Sequence, residues 1–105
     1  ATDAPAPRPT AVPEVDALSP DAVVLDVREA DELERDPLPG ARHVPLARLL
    51  ADVDGVADGV RGASVVVVCQ AGIRAARAAR ALREAGVAAA VLRGGMDGRR
   101  RRGAT

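Results

Sequence analysis

The chain has 105 residues, of which 15 are acidic, 15 are basic and none is aromatic. This length suits one domain around a single hydrophobic core. The balanced charge argues against attraction to a polyanion, and the absence of aromatic rings argues against base stacking, so a nucleic-acid partner is not expected. Cys69 is the single cysteine, which excludes an internal disulfide.

Residues 1–13 are rich in proline and are predicted to form a flexible tail. They lack the charged segment and the apolar stretch of a secretory signal, and no apolar run in the sequence has the length of a membrane span. We therefore expect a reducing, cytoplasmic setting and no membrane partner. Residues 15–18 are predicted to form a short helical turn.

Short apolar runs predict the strands. Residues 22–27 and 64–69 are rich in valine, and residues 88–92 are rich in alanine. Residues 65–68 are all valine, and this lack of alternation predicts a strand that is buried on both faces, as in a parallel sheet. A further short strand is predicted at residues 42–44.

Helical segments are predicted between these strands. Residues 30–35 are charged and compatible with a helix, and residues 46–53 have apolar side chains at helical spacing. Residues 75–85 place alanine and leucine on one face and charged side chains on the other. A loop is marked by three glycines, Gly55, Gly59 and Gly62. This alternation of strands and helices predicts an α/β fold with a mainly parallel central sheet flanked by helices.

Cys69 lies where the strongest predicted strand ends and a short loop leads into a helix, and ligands bind at such strand ends. The unpaired N–H groups and the dipole of a helix N-terminus favour an anion, so they favour the nucleophilic thiolate of Cys69. Gly72 permits a tight curl of the backbone, and Arg74 adds a positive charge for a negatively charged substrate group. A lone cysteine after four valines can instead be a small buried apolar residue, and this alternative stays open.

Four segments match the motifs of one family in the same order. They are residues 24–29 (VLDVRE), 39–46 (PGARHVPL), 69–74 (CQAGIR) and 92–96 (LRGGM). These segments resemble the L-D-V-R-E strand, the P-G-A-x-x-I-P-L segment, the C-x-x-G-x-R active-site loop and the L-x-G-G-M turn of the rhodanese family. The resemblance implies a three-layer rhodanese-like domain, with a mainly parallel central sheet flanked by helices.

The family resemblance also implies a function, since a rhodanese moves a sulfane sulfur from a small anionic donor such as thiosulfate to cyanide or a thiol. Cys69 would carry the sulfur as a persulfide, Arg74 would help to bind the donor, and Asp26 and Arg28 would brace the loop. The loop whose backbone N–H groups would hold the persulfide consists of Gln70, Ala71, Gly72, Ile73 and Arg74. No organic cofactor and no metal site are indicated. A monomer is expected, and an acceptor protein is left open.

Two other functions are weighed against thiosulfate sulfurtransferase activity. Related phosphatases have five residues between the loop cysteine and arginine to surround a tetrahedral oxyanion, whereas four separate Cys69 from Arg74, which argues against a phosphatase. The second alternative is a catalytically idle rhodanese-like domain that acts as a binding or thiol-sensing module. The retained cysteine, glycine and arginine favour the active enzyme.

The chain departs from the family pattern at a few positions. Pro37 replaces a frequent histidine, Ala75 stands where a serine or threonine usually follows the loop arginine, and Arg99 stands where a tryptophan is usual. His43 is predicted to be a strand or surface residue and not an acid–base group. We place the domain at residues 14–98 and predict an arginine-rich C-terminal tail at residues 99–105.

Overall fold

The computed structural model describes residues 12–103, which form a five-stranded sheet with helices on both faces. The predicted N-terminal tail lies, up to residue 11, outside the described residues. The strands are β1 (Glu14–Val15), β2 (Val23–Asp26), β3 (Arg42–His43), β4 (Ser64–Val68) and β5 (Ala88–Leu92). The helices are α1 (Ala30–Arg35), α2 (Leu46–Ala51), α3 (Val53–Asp58), α4 (Ile73–Glu84) and α5 (Gly95–Arg101).

The strands follow the order β1-β5-β4-β2-β3, and every neighbouring pair is parallel. The predicted α/β fold with a parallel central sheet is therefore confirmed. In the register between β2 and β4, Asp26 is paired with Val68. Because parallel strands end at the same edge of the sheet, this register brings the chain after Asp26 alongside the chain after Val68.

Side chains of β4 alternate between two hydrophobic clusters, one on each face of the sheet. Val65 and Val67 belong to the cluster that contains the buried residues of α2, α3 and α4, whereas Val66 and Val68 pack with Met96 of α5. The four consecutive valines are thus buried on both faces of the sheet, as the sequence predicts.

Helix α4 buries its alanine-rich face and Leu82 against the sheet. It begins at Ile73, two residues before the predicted start, because Gly72 has a φ of 102° and turns the chain directly into the first helical turn. Its short side chains allow the helix to lie close to the strands. Cys69 follows the last residue of β4, and residues 70–72 lead from it to the start of α4.

Two local predictions need correction. Gly55 lies inside α3 and not in a loop, because the carboxylate of Asp52 caps this helix by accepting a hydrogen bond from the Gly55 N–H group at 3.1 Å. Val15 belongs to β1 and not to a helical turn, because pairing with Leu92 of β5 satisfies its backbone groups.

The predicted domain boundary at residue 98 falls inside α5, which continues to Arg101. The start of this predicted tail is therefore part of the folded domain. Arg100 forms an ion pair with Asp36 at 2.6 Å, and Arg102 donates a hydrogen bond to the Asp16 carbonyl at 3.0 Å. These side-chain contacts tie the arginine-rich segment to distant parts of the chain, and local sequence does not reveal such contacts.

Candidate active site

The sulfur of Cys69 lies at the start of the loop between β4 and α4. The residue is buried, with 1% of its surface exposed. Its Sγ accepts hydrogen bonds from the backbone N–H groups of Gly72 at 3.0 Å and Ala75 at 3.3 Å. Donors at a helix N-terminus stabilise negative charge, so this geometry suits a sulfur atom that becomes an anion.

The predicted loop residues do not all turn toward the sulfur. Ile73 is 76% exposed and Ala71 is also exposed, so these two side chains contribute to the outer surface of the loop. The side chains of Gln70 and Arg74 make hydrogen bonds with neighbouring elements on the flanks of the loop. The groups that contact the sulfur are therefore backbone N–H groups and not loop side chains.

The first turn of α5 holds the loop from a second side. The N–H groups of Met96 and Asp97 donate hydrogen bonds to the carbonyl groups of Cys69 and Gln70 at 2.9 and 3.0 Å. Gly95 has a φ of 63°, and a Cβ atom placed on it would lie 2.2 Å from the Cys69 carbonyl oxygen. The close approach thus explains the second glycine of the G-G-M segment in physical terms.

Asp26 and Arg28 form a buried ion pair beside the loop. Both Nε and Nη2 of Arg28 donate to the Asp26 carboxylate, at distances from 2.8 to 3.2 Å. These hydrogen bonds raise the pKa of Arg28, although burial of its guanidinium opposes the shift. Arg28 also donates from Nη1 to Gln70 Oε1 at 3.1 Å and from Nη2 to the Asp36 carbonyl at 2.8 Å. The pair is thus bonded directly to the loop.

Gln70 connects the buried pair to α5. Its Oε1 accepts from Arg28, and its Nε2 donates to Asp97 Oδ1 at 2.7 Å. The charges of these two neighbours determine the orientation of the amide, because Arg28 can only donate and a carboxylate can only accept. Gln70 therefore ties the first position of the loop to two elements of the scaffold.

Arg74 is bound to a residue that the sequence analysis did not select. Its Nη1 and Nη2 donate to the two carboxylate oxygens of Glu32 on α1, at 2.7 and 2.8 Å. The hydrogen bonds from Arg74 lower the pKa of Glu32 to about 2, and those from Glu32 raise the pKa of Arg74. This interaction had no local signal, since the two residues are far apart in sequence and Glu32 reads as part of a charged helix face.

The edge of the sheet beside the loop carries an open depression of about 450 Å³. Its lining residues are Glu32, Arg35, Asp36, Gln70 and Arg100. A larger depression of about 540 Å³ lies at the amino ends of β4 and β5, away from Cys69. We assign the candidate substrate entrance to the smaller one, because it borders the loop that holds the sulfur.

His43 lies in β3, as predicted for a strand residue. Its Nε2 is 2.7 Å from the carbonyl oxygen of Arg28. Within residues 12–103, no group of three or more histidine, cysteine, aspartate or glutamate side chains is arranged to hold a metal ion. In the same range, no helix is long and apolar enough to cross a membrane.

The model of the rhodanese-like domain family matches residues 12–101, which is most of the sequence. The chain belongs to the rhodanese-like domain family. The family match includes the arginines of α5, in agreement with their place in the fold.

Relatives of this rhodanese-like domain include proteins of sulfur metabolism. A tRNA sulfurtransferase of Desulfurococcus amylolyticus is 37% identical over 83 residues, which are 79% of this chain and 16% of that protein. The structure of a rhodanese-related protein from Thermoplasma volcanium has a TM-score of 0.71 and 26% identity, over 81% of this chain and 82% of that one. A NAD-dependent persulfide reductase from A. fulgidus has a TM-score of 0.67 and 31% identity, over 83% of this chain and 16% of that one.

The rhodanese-like domain therefore spans about one sixth of the length of the two named enzymes. It corresponds to one part of each enzyme. Its agreement with the Thermoplasma protein covers most of both chains and shows that the whole fold is shared.

Proposed function

We propose that this rhodanese-like domain is a sulfurtransferase that carries a sulfane sulfur as a persulfide on Cys69. The observation that carries the proposal is the pair of backbone N–H groups, from Gly72 and Ala75, that donate to the Cys69 sulfur at the start of α4. The family membership and the sulfurtransferase named among its relatives support the same reaction.

The proposed reaction has two displacement steps. The Cys69 thiolate attacks the outer sulfur of a donor such as thiosulfate, the sulfur–sulfur bond breaks, and sulfite leaves with the electron pair. A thiolate or cyanide then attacks the outer sulfur of the persulfide and regenerates the Cys69 thiolate. Atoms and electrons balance without a redox cofactor, so the covalent persulfide is the only sulfur carrier that we propose.

The loop backbone is proposed to stabilise the charge in both steps. Gly72 and Ala75 present N–H groups to the inner sulfur, and the remaining N–H groups of residues 70–74 would surround the outer one. Ala75 lacks the hydroxyl that is frequent in the family, but its contribution to the sulfur comes from its backbone N–H group. The substitution thus leaves a donor at this position.

The proposed partners are a small sulfur donor and a thiol or cyanide acceptor, with a protein thiol as a further acceptor class. We propose that the domain works as a monomer in a reducing, cytoplasmic setting, where its single thiol would stay free for transfer. Asp26 and Arg28 are proposed to act as positioning residues through their contact with Gln70.

Two observations favour the alternative of an idle binding or thiol-sensing module. The Cys69 residue is almost fully buried, and the positive charge of Arg74 is already paired with Glu32. A donor must therefore reach a protected sulfur without a free cation in the loop. This alternative predicts an intact fold, little turnover and no stable persulfide.

The test is the intact mass of the protein after incubation with thiosulfate, beside a Cys69→Ala control. We expect a gain of about 32 Da in the parent alone, removed by cyanide with formation of thiocyanate. A folded parent protein with a titratable thiol that gains no sulfur from thiosulfate or from mercaptopyruvate would support the idle module instead.

A further inference from the structure

The arginine side chains that line the depression, and those of Arg28 and Arg74 beside the loop, are each paired with a carboxylate. Arg74 contacts Glu32, Arg28 contacts Asp26, and Arg100 contacts Asp36. Arg35, which also lines the depression, contacts Asp31 at 3.4 Å. A donor that approaches Cys69 through this depression therefore meets arginines whose charge is already compensated.

Arg74 is the one cationic side chain of the loop, and the Glu32 carboxylate compensates its charge. Both terminal nitrogens are engaged in the parallel, two-bond geometry that arginine also uses to hold an oxyanion such as sulfonate. A donor with two negative charges would have to displace Glu32 from this site or bind beside an uncharged pair. A donor of lower charge loses less electrostatic attraction when Glu32 compensates the charge of Arg74.

We propose that Glu32 is a specificity-determining residue that selects sulfur donors of low negative charge over dianions such as thiosulfate. The favoured class is the monoanionic or neutral sulfane donor, such as a thiosulfonate or an organic persulfide. This inference rests on the proposed sulfur transfer and specifies the charge of the sulfur donor. Glu32 acts through Arg74 and takes no part in bond making at the sulfur.

The chemistry allows two donors to be compared that differ mainly in charge. Thiosulfate is a dianion and methanethiosulfonate is a monoanion, and both present an outer sulfane sulfur. Attack by the Cys69 thiolate gives the same persulfide from each, with sulfite or methanesulfinate leaving with the electron pair. The ratio of their KM values therefore reports how the site responds to donor charge.

Glu32→Gln is the variant of choice, because it removes the charge and keeps the shape. Glu32 Oε1 also accepts a hydrogen bond from the Glu29 N–H group at 2.9 Å, at the start of α1. Glutamine fills this role in a helix as well as glutamate does, so the variant should fold. Its amide oxygen can still accept from Arg74 Nη1, whereas its amide nitrogen cannot accept from Nη2, which becomes available to a donor.

In the steady-state assay with cyanide as acceptor, the wild-type protein is expected to have a lower KM for methanethiosulfonate than for thiosulfate. Glu32→Gln should lower the KM for thiosulfate about fivefold to tenfold and that for methanethiosulfonate about twofold, with kcat nearly unchanged. In a background that carries Arg74→Gln, the same substitution should change the ratio of KM values less, because no guanidinium is left to form hydrogen bonds with the donor.

Glu34→Gln is the matched control, because it removes a carboxylate from an exposed position of the same helix. It should leave the ratio of the two KM values unchanged. An unchanged ratio in Glu32→Gln, or a higher KM for thiosulfate, would overturn the inference while persulfide formation by mass leaves the proposed function intact. Failure of both donors to load Cys69 in wild type and variant would overturn both.

Discussion

Two arginine–carboxylate pairs flank the Cys69 loop, and they differ in their exposure to solvent. The side chains of Arg28 and Asp26 are 0% and 1% exposed, whereas those of Arg74 and Glu32 are 34% and 19% exposed. A charge left alone in the interior is strongly unfavourable, whereas water can replace a partner at the surface. We propose that the buried pair is a fixed part of the scaffold and that the exposed pair is a contact that a substrate can replace.

The largest expected effect comes from opening the buried pair. Asp26→Ala leaves the Arg28 guanidinium buried without its carboxylate, so we expect the free energy of unfolding to fall by about 3–5 kcal/mol. The measurement is urea unfolding followed by far-UV circular dichroism, because the chain has no aromatic residue for fluorescence.

Glu32→Gln is the control for this experiment at the exposed pair, where we expect a loss of about 1 kcal/mol or less at neutral pH. If both substitutions reduced the free energy of unfolding equally, burial would not distinguish the two pairs. The proposed division between scaffold and exchangeable contact would then be wrong.

A smaller loss of stability is expected at Gln70, where the buried pair forms a hydrogen bond with the loop. Gln70→Ala removes the acceptor for Arg28 Nη1 and the donor to Asp97, and we expect a loss of about 1–2 kcal/mol in the same unfolding measurement. Ala71→Ser, at the next and exposed loop position, should change stability by less than about 0.5 kcal/mol. Equal effects at the two positions would mean that Gln70 does not brace the loop.

The smallest effect is a pH dependence of the exposed pair. The pKa of Glu32 is lowered by Arg74 from an ordinary 4.5 to about 2, so the unfolded chain binds a proton at higher pH than the folded one. The stability contributed by this carboxylate is complete above pH 4.5 and is lost as pH falls toward 2.

Urea midpoints across this pH window measure the effect. The stability of the wild type should decline with falling pH more steeply than that of Glu32→Gln, so that their difference shrinks toward zero. A constant difference between the two proteins down to the acid end would show that the Glu32 charge does not contribute through its protonation equilibrium.

Local sequence patterns predicted much of the fold, because strand and helix signals depend on residues close together in the chain. Four valines in succession predict a strand buried on both faces, and Gly72 before an alanine-rich segment predicts a tight turn into a helix. Both are present in the structure, as β4 and the start of α4. Weaker elements such as β1 were misread, since two residues show no periodicity and depend on their neighbour strand for hydrogen bonds.

The site also combines features that the local sequence predicts with contacts that only the tertiary structure shows. The sequence by itself determined the strand, the cysteine, the glycine turn and the helix that follow one another along the chain, and with them the backbone donors at the sulfur. Only the tertiary structure decided that Glu32 pairs with Arg74, that Gln70 joins Arg28 to Asp97, and that Gly95 lies against the Cys69 carbonyl. Each of these contacts joins segments far apart in sequence. The parallel sheet brings them together because it places the carboxyl ends of strands from different parts of the chain at one edge. The net charge that the site presents to a substrate depends on these long-range contacts, and no local sequence pattern predicts them.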